Sequence, residues 1–308
     1  MAVRELNRFK RITASGGGTL VAPANESFRV RCLCCTPSSS DDYLIAMVEG
    51  KTVQKLRVKG YAGNGSPYPA GKTTQLYEAS FGGLMNWLRG RGLDLSIPVA
   101  KGQTLTVSRF AETGDLTIRY DAYDADDVKA DEPNGVDGLV QRYVHYATNP
   151  SAVTASPVAI TTSLMWAGGD QWPINLREVG IGLRYRLHGL MGCPSARGNN
   201  TINKGYTTYL LLWKEGNVLM DAGDQVGIPF GGLSTTTADA ETYSPVASMI
   251  GPLTGAIPYP PLMFDPPLEF TPGDTLTAQI AVAGAASGGI GASGLDLAFL
   301  LERIRGGA

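Results

Sequence analysis

Only two histidines and four cysteines occur among the 308 residues of this chain. A hydrolase with an imidazole base would have to draw it from His145, in RYVHYAT, or His188, in LRYRLHG. Neither stands in an HExxH, GxSxG or Cys/His signature, and neither segment carries a carboxylate to orient the ring. Cys32, Cys34, Cys35 and Cys193 are too few and too unevenly spaced for a disulfide framework, which points to folding in the reducing interior of a cell. As metal ligands they do not converge: on a strand Cys32 and Cys34 face one way and Cys35 the other. The further pairs of a tetrahedral zinc site are missing. Their expected role is that of small buried hydrophobes. No catalytic residue, cofactor or metal site is expected, and the chain reads as a protein that is not an enzyme.

Charge is sparse too. Asp, Glu, Lys and Arg make up 18% of the chain, below the roughly 25% usual for soluble domains. With 26 cationic and 28 acidic residues the net charge is −2, so global electrostatics favour neither nucleic acid nor an acidic substrate. No apolar run approaches a membrane-spanning helix. The opening MAVRELNRFKRIT lacks the apolar segment of a secretory signal, so the sequons at Asn25, Asn64 and Asn199 carry no expectation of glycosylation.

Three tempting features dissolve on inspection. NGSPYPAGKTT (64–74) resembles a phosphate loop, but Gly65 is one residue too far from Gly71, and Pro67 and Pro69 remove two N–H donors. Asp121, Asp124, Asp126 and Asp127 follow no calcium-loop spacing and read as a solvated surface. Ser293 of GASG (291–294) is misplaced for a nucleophile elbow. A pair of distant carboxylates converging as in a glycosidase stays open, with Trp172 in GGDQWPIN as its one loop-borne aromatic platform. Trp166 and Trp213 sit in apolar strands and read as core.

What the chain has in excess is glycine, 39 residues, together with Thr, Ser and Pro. That composition fits an all-β protein with many tight turns and a low-charge surface suited to burial against neighbouring subunits. Short strands are expected at 18–22, 27–35, 43–48, 51–59, 95–99, 103–110 and 115–122, with a helix over 75–89. A second series is expected at 139–147, 157–166, 178–188, 207–213 and 217–220. IPVAKGQTLTV, from Ile97, is echoed by LEFTPGDTLTA, from Leu268: Gly102 meets Gly273, and Thr104-Leu105-Thr106 meets Thr275-Leu276-Thr277. Each reads as strand, tight turn, strand. DLTIRY and DLAFLL then close the two halves, and Phe28–Cys32 is expected to correspond to Val158–Leu164.

The chain therefore divides into a basic N-terminal arm (1–13), a first β unit (14–123), an exposed acidic linker (124–138) and a second β unit (139–308). The second unit carries a long polar loop, 223–261. Two tandem antiparallel β-sandwich units of this size, with one short helix in the first, fit jelly rolls better than propellers or immunoglobulin sandwiches.

On the repeated turn, the closing strands and the connector, the chain resembles the double jelly-roll major capsid proteins of tailless, membrane-containing icosahedral viruses and phages. The resemblance implies a homotrimer of pseudo-hexagonal outline that assembles, in the host cytoplasm, with neighbouring capsomers into the virion shell. It also implies contacts with minor capsid and vertex proteins. It would place Arg4, Arg8, Lys10 and Arg11 toward an internal membrane or genome, and 223–261 outward. A spike, decoration or fibre-head protein and a glycan-binding β-sandwich are the alternative readings.

Overall fold

The computed structural model describes residues 3–12, 17–35, 41–59, 84–109, 116–148, 150–151, 156–160, 162–164, 178–194, 207–219, 228–229, 232–233, 242–243, 262–283 and 295–306. The chain is all-β, with antiparallel sheets. Its described residues fall into two compact units: one runs to Val144 and includes Glu302–Arg305, and the other holds His145–Leu301 with Gly306.

Eight strands build the first unit: β1 (Val3–Ile12), β2 (Gly17–Val21), β3 (Glu26–Cys35), β4 (Asp41–Val48), β5 (Lys51–Lys59), β6 (Ile97–Val99), β7 (Thr104–Arg109) and β8 (Leu116–Asp124). They lie in two four-stranded sheets, β1-β8-β3-β6 and β2-β7-β4-β5. Period-2 alternation sets the core: Leu44, Ala46 and Val48 of β4 are buried, as are Leu105 and Val107 of β7 and Leu116, Ile118 and Ala122 of β8. Each large aliphatic side chain so buried stabilises by roughly 1.5–3 kcal/mol. The short helix α1 (Leu84–Arg89) buries Met85 and Leu88. Gly92, at φ +87°, ends it: Leu93 N–H reaches back to Leu88 O and Gly92 N–H to Arg89 O. Residues 75–83, the front of the expected helix, lie outside the described residues.

The later strands are β9 (Val140–Thr148), β10 (Val158–Ala159), β11 (Thr162–Leu164), β12 (Leu183–Pro194), β13 (Thr207–Lys214), β14 (Asn217–Val218), β15 (Ile228–Pro229), β16 (Gly232–Leu233), β17 (Thr242–Tyr243), β18 (Leu262–Phe270), β19 (Leu276–Ala283) and β20 (Leu295–Arg305). One sheet has the order β11-β9-β20-β12-β18. A second has the order β10-β19-β13-β14, with β15 also on β13, and β16 pairs β17 separately. Tyr185, Leu187, Leu210, Leu212, Phe270 and Phe299 lead the core of the second unit. Of the long loop 223–261, only β15, β16 and β17 lie among the described residues.

The two echoing sequences occupy corresponding strands. β6 and β18 each end a sheet against β3 and β12, while β7 and β19 lie between β2 and β4 and between β10 and β13. The intervening turns repeat bond for bond. Gly102 and Gly273 take φ +75° and +92°, a region costly for a residue with a Cβ. Gly102 N–H donates to Ala22 O and Gly273 N–H to Val179 O; Ala22 N–H donates to Gln103 O and Val179 N–H to Asp274 O. The Gln103 and Asp274 side chains accept from Ala100 N–H and Thr271 N–H at 2.9 and 2.7 Å. Even the β4–β5 and β13–β14 hairpins match: Glu49 and Glu215, both at positive φ, exchange bonds with Thr104 and Thr275.

Register also corrects one expected correspondence. Phe28 and Val30 of β3 face Val99 and Ile97, as Tyr185 and Leu187 of β12 face Phe270 and Leu268. The counterpart of Phe28–Cys32 is therefore in β12, whereas Val158–Ala159 pairs with β19. The expectation followed chain order; an extra strand, β11, and a long connection precede β12 and displace the match.

Candidate functional site

The basic N-terminal segment was expected to be a free arm without strand pattern, and the structure makes it a strand. β1 pairs antiparallel with β8 over its whole length, from Val3 opposite Tyr123 to Ile12 opposite Leu116. Two register shifts, Val3/Glu5 and Glu5/Arg8, break the period-2 alternation that would have betrayed it, and Asn7 sits within the second at φ +59°. As the outermost strand β1 also has little to bury. From Arg4 to Ile12 its described side chains are exposed or half-buried, and Leu6 and Phe9 are each 56% exposed.

The cations bind their own unit. Arg4 pairs with Asp124 and, at 3.8 Å, with Glu26. Arg8 pairs with Glu5 and, at 2.8 Å, with Glu26; the hydrogen bonds to Glu26 first and Glu5 second raise its guanidinium pKa further. Lys10 donates to Thr19 O at 2.7 Å, and Arg11 stands opposite Thr117. Arg4 and Arg8 thus meet on the rim formed by Glu26 and Asp124, while Lys10 and Arg11 occupy the other end of the strand.

Behind this strand lies a half-buried ionic layer. Arg31 Nε donates to Asp121 Oδ2 at 2.7 Å, Arg31 Nη2 to Tyr123 OH at 3.1 Å, and Asp94 lies 3.6 Å from Arg31 Nη1. Burial works against the Arg31 charge, but the Asp121 bond and its field outweigh it and raise the pKa. The second Asp121 oxygen accepts Asn7 N–H at 2.9 Å, which pins the bulge of β1. Arg29 pairs with Glu132 alongside. The acidic cluster is thus divided: Asp121 serves Arg31, Asp124 serves Arg4, and Asp126 meets Lys101 at 2.5 Å.

Residues 124–138, expected to be an exposed linker, are fastened to the first unit. Val128 is 1% exposed and Asn134 2% exposed. Ser27 Oγ–H donates to Asp124 O and accepts Val128 N–H. Asn134 Nδ2 donates to Asp94 O at 2.8 Å and Ser96 O at 3.1 Å, and its Oδ1 accepts Arg142 N–H at 2.7 Å. Polar side chains aimed at backbone groups hold the segment, so a scarcity of apolar residues misread it. Past it, Gln141 donates to Val53 O, Gln54 to Arg142 O, and Arg142 pairs with the buried Glu302 at 2.6 Å.

Neither histidine joins a constellation among the described residues. His145 is 2% exposed with its ring centroid 6.3 Å from that of Phe299, and burial pushes its pKa down to about 4. His188 stands on β12, one residue before Gly189, whose missing Cβ leaves room for Leu262 O. Cys32 is buried; the side chains of Cys34, Cys35 and Cys193 lie outside the described set, as do the 64–74 segment, Trp166, Trp172 and residues 291–294. Trp213 pairs across to Val218 in the β13–β14 hairpin. No helix among the described residues is long and apolar enough to cross a membrane. No protein-family model matches the chain, and no curated protein matches it in sequence.

Proposed function

We propose that this chain is a structural shell protein: two jelly rolls in tandem that self-assemble, as homotrimers of pseudo-hexagonal outline, into an icosahedral capsid. The observation that carries the reading is the strand order. If four strands run out and the next four run back as one antiparallel ribbon, strand 1 pairs 8, 2 pairs 7, 3 pairs 6 and 4 pairs 5. Wrapping that ribbon around a core brings 8 beside 3 and 7 beside 4, so the sheets read 1-8-3-6 and 2-7-4-5. The first unit has that order throughout, and β9, β10, β12, β13, β14, β18, β19 and β20 repeat it as β9-β20-β12-β18 and β10-β19-β13-β14.

The recurrent turns at Gly102 and Gly273 support descent of both units from one ancestor. Two like units in one chain let three chains present six similar blocks, a hexagonal tile. Low charge supports the same reading, since little has to be desolvated when copies meet. Function then resides in subunit contacts, with no chemical step assigned to a side chain. Because Arg4 and Arg8 are paired with carboxylates of their own unit, the main proposed partners are further copies of the chain.

Size-exclusion chromatography with light scattering, followed by negative-stain microscopy, tests the proposal. Trimers that tile into hexagonal sheets or closed shells are expected. A chain that stays monomeric at high concentration refutes it, and an elongated trimer that never tiles moves the reading to a spike or decoration protein.

A further inference from the structure

The two units treat their corresponding first strand in opposite ways. In the second unit β9 contributes buried His145, Tyr146 and Ala147, and a fifth strand, β11, pairs with Tyr146–Thr148 along its outer edge. β1 is outermost, and between Arg4 and Ile12 it places no side chain in the core. Its attachment includes a backbone ladder to β8, ion pairs of Arg4 and Arg8 with Glu26 and Asp124, and side-chain bonds from Lys10 to Thr19 O and from Arg119 to Asn7 Oδ1. That attachment is self-contained. Any copy of this chain carries the same basic strand and the same acidic dock, so a neighbour's β1 meets every bond that the chain's own β1 meets.

We infer that β1 is exchanged between copies: in the assembled protein, β1 of one chain lies on β8 of the next. Three observations favour this occupant. No side chain of β1 from Arg4 to Ile12 is fully buried, so leaving the dock withdraws none from the core. The strand carries four cations against one carboxylate, while the dock offers Glu26 and Asp124, which Arg4 and Arg8 meet, so the charges favour a β1 on this edge. Leu6 and Phe9, exposed on the strand, are the residues a crossing arm would carry into a contact between copies. Symmetric pairing of two β1 edges is the less favourable arrangement, since it sets Arg and Lys against Arg and Lys. Four residues, 13–16, connect β1 to β2, and the five steps from Ile12 to Gly17 span at most about 18 Å when extended, so only a directly abutting copy can take the strand.

The inference rests on the self-association proposed above, and cross-linking separates the two. Phe9 lies opposite Arg119, and opposed residues on antiparallel strands are close enough for a disulfide. Chains carrying Phe9→Cys and Arg119→Cys, one with an added tag to change its mass, are mixed, unfolded, refolded together and oxidised. Exchange predicts a covalent heterodimer from this mixture, absent from wild type and lost when Arg119→Cys is replaced by Thr117→Cys, which faces Arg11 instead. The Phe9→Cys, Arg119→Cys double variant provides the control that the register permits the bond. Assembled protein whose double variant cross-links only within one chain refutes exchange and leaves self-association standing. Protein that is monomeric throughout refutes both.

Discussion

Replacing Asn134 with Ala probes the least expected feature of the first unit, the fastening of residues 124–138. The carboxamide makes three hydrogen bonds, to Asp94 O, Ser96 O and Arg142 N–H, and is buried with them. Truncation removes all three and leaves backbone groups to find other partners. A net hydrogen bond is worth about 1 kcal/mol, and a buried group left unmet costs about 1–3 kcal/mol. Asp94 is partly open to water, so one orphan is rehydrated, and the expected loss is about 3 kcal/mol. At roughly 2–4 °C per kcal/mol for a unit of this size, the melting transition of the first unit should fall by about 6–12 °C. Asn134→Gly isolates the backbone, because Asn134 sits at φ +66° where Gly is unstrained; it should lose the hydrogen bonds yet suffer less than Ala. Asn134→Asp, which sets a carboxylate against two carbonyl oxygens, should be the worst of the three at neutral pH. Calorimetry gives the ranking, and hydrogen exchange at the Arg142 amide should accelerate in the Ala and Gly variants, which lose the Oδ1 acceptor that Asp keeps. An Ala variant within about 1 kcal/mol of wild type, with Arg142 still protected, would show that the side chain does not hold the segment.

Other consequences are equally open to measurement. Deleting residues 1–12 should destabilise the first unit rather than leave it unaffected, since it strips β1 from β8 and orphans Asp121 Oδ1; unchanged urea unfolding would contradict the strand assignment. Asp121→Asn should cost about 3 kcal/mol by leaving Arg31 half-buried beside a neutral partner. Gly102→Ala and Gly273→Ala should each cost roughly 1–2 kcal/mol, and unequal losses would argue against equivalent turns. For His145 the folded pKa of about 4 lies below the unfolded value of 6.5, so the unfolded chain binds the extra proton. Stability from this site is therefore complete above pH 6.5 and falls between pH 6.5 and 4 by about 3 kcal/mol; a His145→Phe variant should lack that part of the acid slope in denaturant titrations.

Strands whose one face is buried were legible because alternation reports burial directly: Leu44, Ala46, Val48 and Leu105, Val107 announce β4 and β7. The repeated turn was legible because Gly at positive φ has few substitutes. Two kinds of segment escaped. β1 has no core face, so its sequence reads as charge without period, and bulges remove the alternation that remains. The 124–138 segment is held by Ser27, Asn134 and Glu132, whose bonds run to residues far along the chain that no local window contains. A second echo was available and would have strengthened the duplication: VEGK at the β4–β5 turn and KEGN at the β13–β14 turn. The four expected cations lie on one strand, and Arg4 and Arg8 pair there with Glu26 and Asp124.

Shared turns and divergent edges together constrain how such a chain could evolve. The turn between positions 6 and 7 keeps its Gly, its side-chain cap and its Thr–Glu contact in both units, because each is fixed by backbone geometry that no partner can replace. The first strand keeps nothing of the kind. In the second unit it is apolar, with Tyr146 and Ala147 buried where β11 pairs with it; in the first it is basic and lies at the rim. Within its own unit this strand is held by the ladder to β8 and by bonds to Glu26, Asp121 and Asp124, and none of these uses an apolar side chain. Contact between copies is the pressure that fits a basic strand, an acidic dock and two exposed apolar residues. If that is so, substitutions of Leu6 and Phe9 by Ser should leave the melting of the isolated chain nearly unchanged while reducing the yield of assembled particles, measured by sedimentation. Equal loss in both measurements would return the two residues to an ordinary role in the fold.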